Sequence, residues 1–130
     1  MGERPEVGSI GWIDLTVADA EGVRDFYAAV VGWTPVPTPV AGYDDFTMQL
    51  PDSGKAVAGI CHALGPNVGL PAQWLMYVTV ADLDASVAQV NGRGGEVLVG
   101  PKGESYRYAV IRDPAGAVCA LIQYVGKEGA

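Results

Sequence analysis

The segment Leu15-Thr16-Val17-Ala18-Asp19 recurs later in the chain as Val78-Thr79-Val80-Ala81-Asp82, at an offset of 63 residues. In both places a strand-like alternation leads directly into an aspartate that can cap a helix. Gly32 and Gly95 lie at the same offset and mark the predicted helix ends. Because these matches are in phase and in the same element order, we interpret the chain as an internal duplication.

The first copy predicts a β-α-β-β-β module over residues 8–62. Residues 9–17 alternate with the period of a half-buried strand, and a helix with one apolar stripe follows. The predicted stripe consists of Val23, Phe26, Tyr27 and Val30. Three strands are then expected near 33–36, 45–50 and 55–62, and Pro51-Asp52-Ser53-Gly54 predicts a hairpin turn between the last two.

The second copy predicts the same module over residues 73–125. A strand at 74–80 precedes a helix capped by Asp82 or Asp84, and strands are expected near 96–99, 107–112 and 117–124. Residues 63–72 are rich in glycine and proline and are interpreted as the linker. We therefore predict one α+β domain over residues 1–130, in which two βαβββ modules form a curved, open mixed sheet around a central trough.

Composition restricts the classes of protein to which the chain can belong. Of the 130 residues, 49% are apolar and 18% are charged, which is typical of a globular protein. The net charge of −7 argues against a nucleic-acid partner. No apolar run is long enough for a membrane span or a signal peptide, so a cytoplasmic location without membrane association is expected. Cys61 and Cys119 are interpreted as reduced, buried residues.

These features together resemble the vicinal oxygen chelate superfamily, which includes glyoxalase I, extradiol dioxygenases and the bleomycin resistance proteins. The resemblance covers residues 8–125. It is carried by the duplicated segments, by Phe26-Tyr27, Gly32-Trp33, Val80-Ala81-Asp82-Leu83-Asp84 and Gly94-Gly95, and by the closing Asp113-Pro114-Ala115-Gly116. It implies a small-molecule site between the two copies and a homodimer.

The resemblance also implies four positions at which the family can hold a divalent metal ion. In this chain they are occupied by Trp12, Val57, Leu75 and Ala120, and none of these side chains is a metal ligand. His62 is the only histidine in the sequence. We therefore predict no metal and no other cofactor.

The predicted chemistry depends on a few polar and aromatic side chains. Asp14 alternates with the apolar residues of the first strand and should share a face with Trp12, and His62 ends the last strand of the first module. Asp14 and His62 are therefore the candidate acid/base residues. Aromatic and flexible apolar side chains suit a planar ligand. The predicted ligand-binding residues are Trp12, Asp14, Met48, His62, Trp74, Tyr106 and Tyr108.

Three functions follow from this pattern. The first is metal-independent binding of an apolar or aromatic metabolite, as in the drug-sequestering members that the sequence resembles. The second is a lyase, isomerase or cyclase that uses Asp14, His62 or a tyrosine as acid or base. The third is a metal-dependent enzyme of the glyoxalase or dioxygenase type.

Overall fold

The computed structural model describes residues 4–125 and has an α+β fold. Its elements follow the order β-α-β-β-β twice, with a short 3₁₀ turn at Gly65–Asn67 between the two sets. The first set is β1 (Ile10–Val17), α1 (Ala20–Val31), β2 (Thr34–Pro39), β3 (Asp44–Gln49) and β4 (Ala56–His62). The second set is β5 (Trp74–Thr79), α2 (Leu83–Gly92), β6 (Glu96–Lys102), β7 (Tyr106–Arg112) and β8 (Val118–Tyr124).

The chain divides into two compact units whose borders lie inside strands. One unit, the α1 unit, consists of residues 13–74. The other, the α2 unit, combines residues 4–12 with residues 75–125. The first residues of β1 therefore pack with the α2 unit, whereas the rest of β1 belongs to the α1 unit.

In the α1 unit, four strands form a mixed open sheet in the order β2-β3-β4-β1. β1 and β4 are parallel, and the other neighbours are antiparallel. The α1 helix packs on one face of this sheet, where the core consists of Ala20, Phe46, Met48, Ala58 and Ile60. The alternation of β3 supplies this core, because Phe46 and Met48 point to the same face.

The first helix begins and ends as the sequence predicts. The carboxylate of Asp19 accepts a hydrogen bond from the backbone N–H of Gly22 over 3.0 Å, and Gly32 ends the helix at a positive φ of 88°. The predicted apolar stripe is only half right. Val23 and Tyr27 pack against the core, whereas Phe26 and Val30 are 57% and 65% exposed.

β2 contains prolines at every second position, where the sequence predicts that Pro37 and Pro39 end a strand. The structure continues the strand through them to Pro39. β2 pairs only with β3 and lies at the edge of the sheet, so the missing N–H groups of its prolines need not interrupt a second ladder.

In the α2 unit, the strands follow the order β5-β8-β7-β6. β5 and β8 are parallel, and the other pairs are antiparallel. Asp82, not Asp84, caps α2 by accepting a hydrogen bond from the N–H of Ala85 over 3.1 Å. A glycine is required at position 95, since a Cβ there would lie 2.7 Å from the carbonyl oxygen of Arg112.

The last hairpin turn also forms as predicted, with the N–H of Gly116 donating to the carbonyl of Asp113 over 2.9 Å. Cys61 and Cys119 are free and half-buried. Neither helix within residues 4–125 is long and apolar enough to cross a membrane.

Candidate functional site

Strand register divides the side chains of the α1 unit between two faces of its sheet. Asp14 lies opposite Gly59, and Thr16 lies opposite Cys61. Residues that are paired across two strands point to the same side, so Asp14 and Cys61 share the face opposite α1. Asp45 of β3 is on this face too, because its neighbour Phe46 points into the core. We refer to Asp14, Asp45 and Cys61 as the acidic face.

The acidic face suppresses ionisation of its thiol. Burial raises the pKa of Cys61, and the negative charges of Asp14 and Asp45 and a hydrogen bond to Asp45 raise it further. The same Asp45 carboxylate accepts a hydrogen bond from the backbone N–H of His62 over 2.9 Å. A thiol held in its neutral form is a poor nucleophile. Cys61 is therefore not suited to covalent catalysis.

His62 lies on the opposite face from Asp14. It is paired with Val17, whose side chain packs against the core beside α1. The imidazole ring contacts the rings of Tyr43 and Phe46 at centroid distances of 5.4 and 6.2 Å. The structure therefore does not bring Asp14 and His62 together as an acid/base pair, because adjacent positions of a strand point to opposite faces.

Two residues that the sequence predicts to bind a ligand lie in the core region of the α1 unit. Met48 is fully buried, so its predicted ligand contact is corrected to a packing role. Trp74 packs against the same core, where its ring is 5.2 Å from that of Tyr27 and 6.1 Å from that of Trp33. Period-two alternation identifies the two faces of a strand but not which of them the helix covers.

The α2 unit carries a different surface, which we call the tyrosine face: Tyr77, Tyr106, Tyr108 and Tyr124. Tyr106 pairs with Tyr124 across the β7–β8 ladder, and Tyr77 pairs with Ala120. On the same two strands, Arg107 forms an ion pair with Asp84 of α2 and Gln123 accepts the N–H of Leu83. Alternation therefore places the tyrosines on the face opposite α2.

The rings of the tyrosine face lie in two pairs. Tyr77 and Tyr108 have centroids 6.5 Å apart, and Tyr106 and Tyr124 have centroids 6.3 Å apart. The ammonium of Lys102 lies over the Tyr108 ring at 5.6 Å. Burial and the neighbouring Tyr106 raise the pKa of Tyr124, so its phenol stays protonated and can donate a hydrogen bond. This surface offers flat apolar area, phenol groups and one cation.

The four positions that the resemblance assigns to a metal ion, Trp12, Val57, Leu75 and Ala120, lie on β1, β4, β5 and β8. Trp12 is half-buried and has the same parity along β1 as Asp14, while Leu75 and Ala120 are fully buried on the same face as the tyrosines. Within residues 4–125 no three side chains of histidine, cysteine, aspartate or glutamate converge as they would around a metal ion.

The predicted site residues did not include Asp45 and Cys61 of the acidic face, Tyr77 and Tyr124 of the tyrosine face, or the neighbouring Lys102. Asp45 was detectable, since Asp45, Thr47 and Gln49 alternate with the apolar residues of β3. Tyr124 follows the same alternation along β8, two positions after the buried Ile122. No sequence pattern indicated Lys102, because its position over Tyr108 depends on the irregular pairing of β6 with β7.

Comparison with known proteins places this architecture among described families. A model of the Glyoxalase/Bleomycin resistance protein/Dioxygenase superfamily matches residues 9–121. The Mycobacterium bovis protein CFP32, whose name marks it as a candidate glyoxylase, is 34% identical over 119 residues, which are 89% of this chain and 46% of that protein. The anthracycline biosynthesis protein DnrV of Streptomyces peucetius is also 34% identical, over 95% of this chain and 50% of that protein.

The chain thus spans about half the length of the curated relatives it matches. Among solved structures, methylmalonyl-CoA epimerase from Mycobacterium tuberculosis aligns with a TM-score of 0.58 and 18% identity, covering 97% of this chain and 94% of that one. An identity this low supports a common fold and nothing more.

Proposed function

Because this chain belongs to the glyoxalase, bleomycin resistance protein and dioxygenase superfamily, we propose that it binds a planar aromatic small molecule on the tyrosine face without a metal ion. The observation that carries the proposal is the two ring pairs Tyr77–Tyr108 and Tyr106–Tyr124 on one sheet face. Tyrosine rings stack on flat ligands, and their phenol groups can bind the oxygen atoms at a ligand's edge.

Metal independence is supported by the identity of the residues at the metal positions of the family. The family's metal positions would need imidazole or carboxylate side chains. They are occupied here by the apolar side chains of Trp12, Val57, Leu75 and Ala120. A catalytic metal also needs about three protein ligands and an open position, and the chain's single histidine lies on the α1 side of its sheet.

The relatives supply independent support for the ligand class. DnrV takes part, by its name, in anthracycline biosynthesis, and anthracyclines contain fused planar rings that carry carbonyl and hydroxyl oxygens. Such a ring system matches the flat area and phenol groups of the tyrosine face. We therefore propose a polycyclic aromatic compound with oxygen substituents as the ligand.

Titration of the purified protein with alizarin, a dihydroxyanthraquinone, tests the proposal by calorimetry and heteronuclear NMR. Loss of one stacking ring weakens binding by about fivefold to tenfold, so Tyr108→Ala should raise the Kd for alizarin by that factor. Tyr43→Ala is the matched control, since Tyr43 contacts His62 in the α1 unit. Equal effects of both substitutions, or amide shifts confined to the α1 unit, would refute the tyrosine face as the site.

A second candidate function is an isomerase, lyase or cyclase in which Asp14 moves a proton. The observation that favours it is the acidic face, where the negative charges of Asp14 and Asp45 both raise the pKa of Cys61. Chromatography of alizarin and of related hydroxyketones after incubation separates the two functions. A compound recovered unchanged supports binding, whereas a product that accumulates with the wild type and not with Asp14→Asn establishes the enzyme.

We further propose a homodimer, which the family resemblance implies, and a cytoplasmic location, which the lack of a long apolar run in the sequence favours. Light scattering coupled to size exclusion measures the mass of the particle directly. A mass twice that of the chain supports the dimer, and a mass equal to the 13.5 kDa chain contradicts it.

A further inference from the structure

The residues that precede β1 lie across the end of β5. The backbone N–H of Gly8 donates to the carbonyl of Thr79 over 2.7 Å, and the N–H of Thr79 donates to the carbonyl of Ser9 over 2.9 Å. Arg4 binds the end of β8, where its guanidinium donates to the carbonyls of Tyr124 and Val125 over 3.3 and 3.0 Å. This segment is therefore attached to two strands of the α2 unit.

A cavity of about 270 Å³ lies between this segment and the strand ends. Arg4, Pro5, Thr79 and Tyr124 form part of its wall. The volume is several times the roughly 30 Å³ that one water molecule occupies in the liquid, so the cavity can hold a substituent of several atoms. Tyr124 also belongs to the tyrosine face, and the cavity therefore adjoins the surface proposed to bind the aromatic ligand.

Thr79, which lines this cavity, carries an unsatisfied hydroxyl group. Thr79 is 4% exposed, and its Oγ1 is the one buried side-chain nitrogen or oxygen within residues 4–125 that has no hydrogen-bond partner. The large majority of buried side-chain polar atoms in native proteins have a hydrogen-bond partner, so an unpaired hydroxyl calls for an explanation. A ligand atom that accepts its hydrogen bond is such an explanation.

The buried Thr79 hydroxyl and the Pro5 ring both lie near Gly11. A Cβ built on Gly11 would be 2.5 Å from Pro5 Cγ and 3.7 Å from Thr79 Oγ1. Pro5 has no backbone N–H to anchor it, so its ring can shift without breaking a hydrogen bond of its own. Rotation of the Thr79 side chain about χ1 makes its hydroxyl and its methyl group exchange positions. Because the two groups are similar in size, this rotation needs little additional room.

We propose that this cavity is a subsite for a carboxylate or carbonyl substituent of the aromatic ligand. Thr79 Oγ1–H donates a hydrogen bond to the substituent oxygen, and the positive charge of Arg4 favours the same atom. The inference rests on the proposed function, since it assigns an end of the ligand whose rings lie on the tyrosine face. It specifies the ligand class as an aromatic compound with an oxygen acceptor at one end.

Two probes that differ in the acceptor test the subsite: naphthoate, which carries a carboxylate, and naphthalene, which carries none. Their Kd values are measured by NMR titration of wild type, Thr79→Val and Thr79→Ser. Valine matches threonine in shape but lacks the hydroxyl. Thr79→Val should weaken naphthoate binding about fivefold to tenfold, leave naphthalene binding unchanged, and be rescued by Thr79→Ser.

The outcomes separate this subsite from the proposed function. If naphthalene binds the wild type and naphthoate binds Thr79→Val as tightly as wild type, the subsite is refuted and the aromatic site stands. The subsite is also refuted if neither probe shifts the amide signals of Val80 and Ala81, because the cavity would then hold only water. If alizarin binds the wild type but neither probe does, the subsite is refuted and the aromatic site stands; if alizarin does not bind either, both proposals fail.

Discussion

The indole Nε1–H of Trp74 donates a hydrogen bond to the hydroxyl oxygen of Tyr27 over 3.1 Å, and the two rings meet nearly edge to face. This contact joins the residue at the start of β5 to helix α1 within residues 13–74. The rings of Tyr27, Trp33 and Trp74 form an aromatic cluster beside the core. Within it, the hydroxyl of Tyr27 satisfies the indole N–H of Trp74.

Removal of this hydrogen bond should destabilise the protein. Tyr27→Phe leaves the half-buried indole N–H without its acceptor, and a loss of about 1–2 kcal/mol in the free energy of unfolding is expected. Urea denaturation measures the change. The neighbouring Phe26→Leu is the control, since Phe26 is 57% exposed and its substitution should cost less than about 0.5 kcal/mol. Equal losses would mean that ring packing alone stabilises this cluster.

Met48 and Met76 allow the same substitution to be compared inside and outside a core. Met48 is 0% exposed, whereas Met76 of β5 is 41% exposed. Met48→Ala should lower the free energy of unfolding by about 2–5 kcal/mol because it leaves a cavity. Met76→Ala should have little effect. A stable Met48→Ala protein with weakened alizarin binding would restore Met48 to the ligand site.

The thiols should respond selectively to the charge of Asp14. Burial, then Asp14, then Asp45 raise the pKa of Cys61, so little thiolate forms at neutral pH and alkylation by iodoacetamide should be slow. Asp14→Asn removes one negative charge, lowers this pKa and should speed alkylation of Cys61 between about pH 7 and pH 9.

Cys119 serves as an internal control for that experiment. Its pKa is raised by burial and by Asp113, without a contribution from Asp14. Peptide mass spectrometry follows both thiols in one sample. A parallel increase at Cys61 and Cys119 would indicate general loosening of the fold instead of an electrostatic effect.

Metal ions should leave the protein unaffected. A specific site raises the Tm as the free metal concentration passes its Kd, because only the folded state binds. We expect the same Tm in EDTA and in nickel, zinc or iron(II) salts, and no stoichiometric metal in the purified protein by elemental analysis. One equivalent of retained metal together with a raised Tm would establish the third candidate function.

Local structure was largely accessible from sequence because it depends on neighbours along the chain. Asp19 and Asp82 cap helices through N–H groups only three residues away. The hairpin turn at 113–116 likewise closes on itself. The ends of strands were harder to predict from sequence. β2 continues through its prolines because it lies at the edge of the sheet, and the sequence does not show that position.

The positions of the proposed site residues were accessible from sequence only in part. Asp14 was selected from its alternation along the first strand and Tyr106 and Tyr108 as aromatic side chains, and all three lie on faces opposite the helices. His62 and Met48 were assigned to the same site, although register and burial place them on the α1 side. Sequence periodicity reports that two residues share a face, but it contains no information on which face another element covers.

The sequence by itself determined the order of the elements, the caps of the first helix and the lack of metal-ligand side chains at the four positions that the family resemblance indicates, since each of these depends on residue type and short spacing. For α2 it left Asp82 and Asp84 as alternative caps, and the structure decided for Asp82. Tertiary structure alone decided that Asp14 and Asp45 flank Cys61, that Trp74 bonds Tyr27, and that Lys102 lies over Tyr108. These contacts join residues far apart in the chain, and strand register and packing, which no local pattern encodes, determine which of them meet.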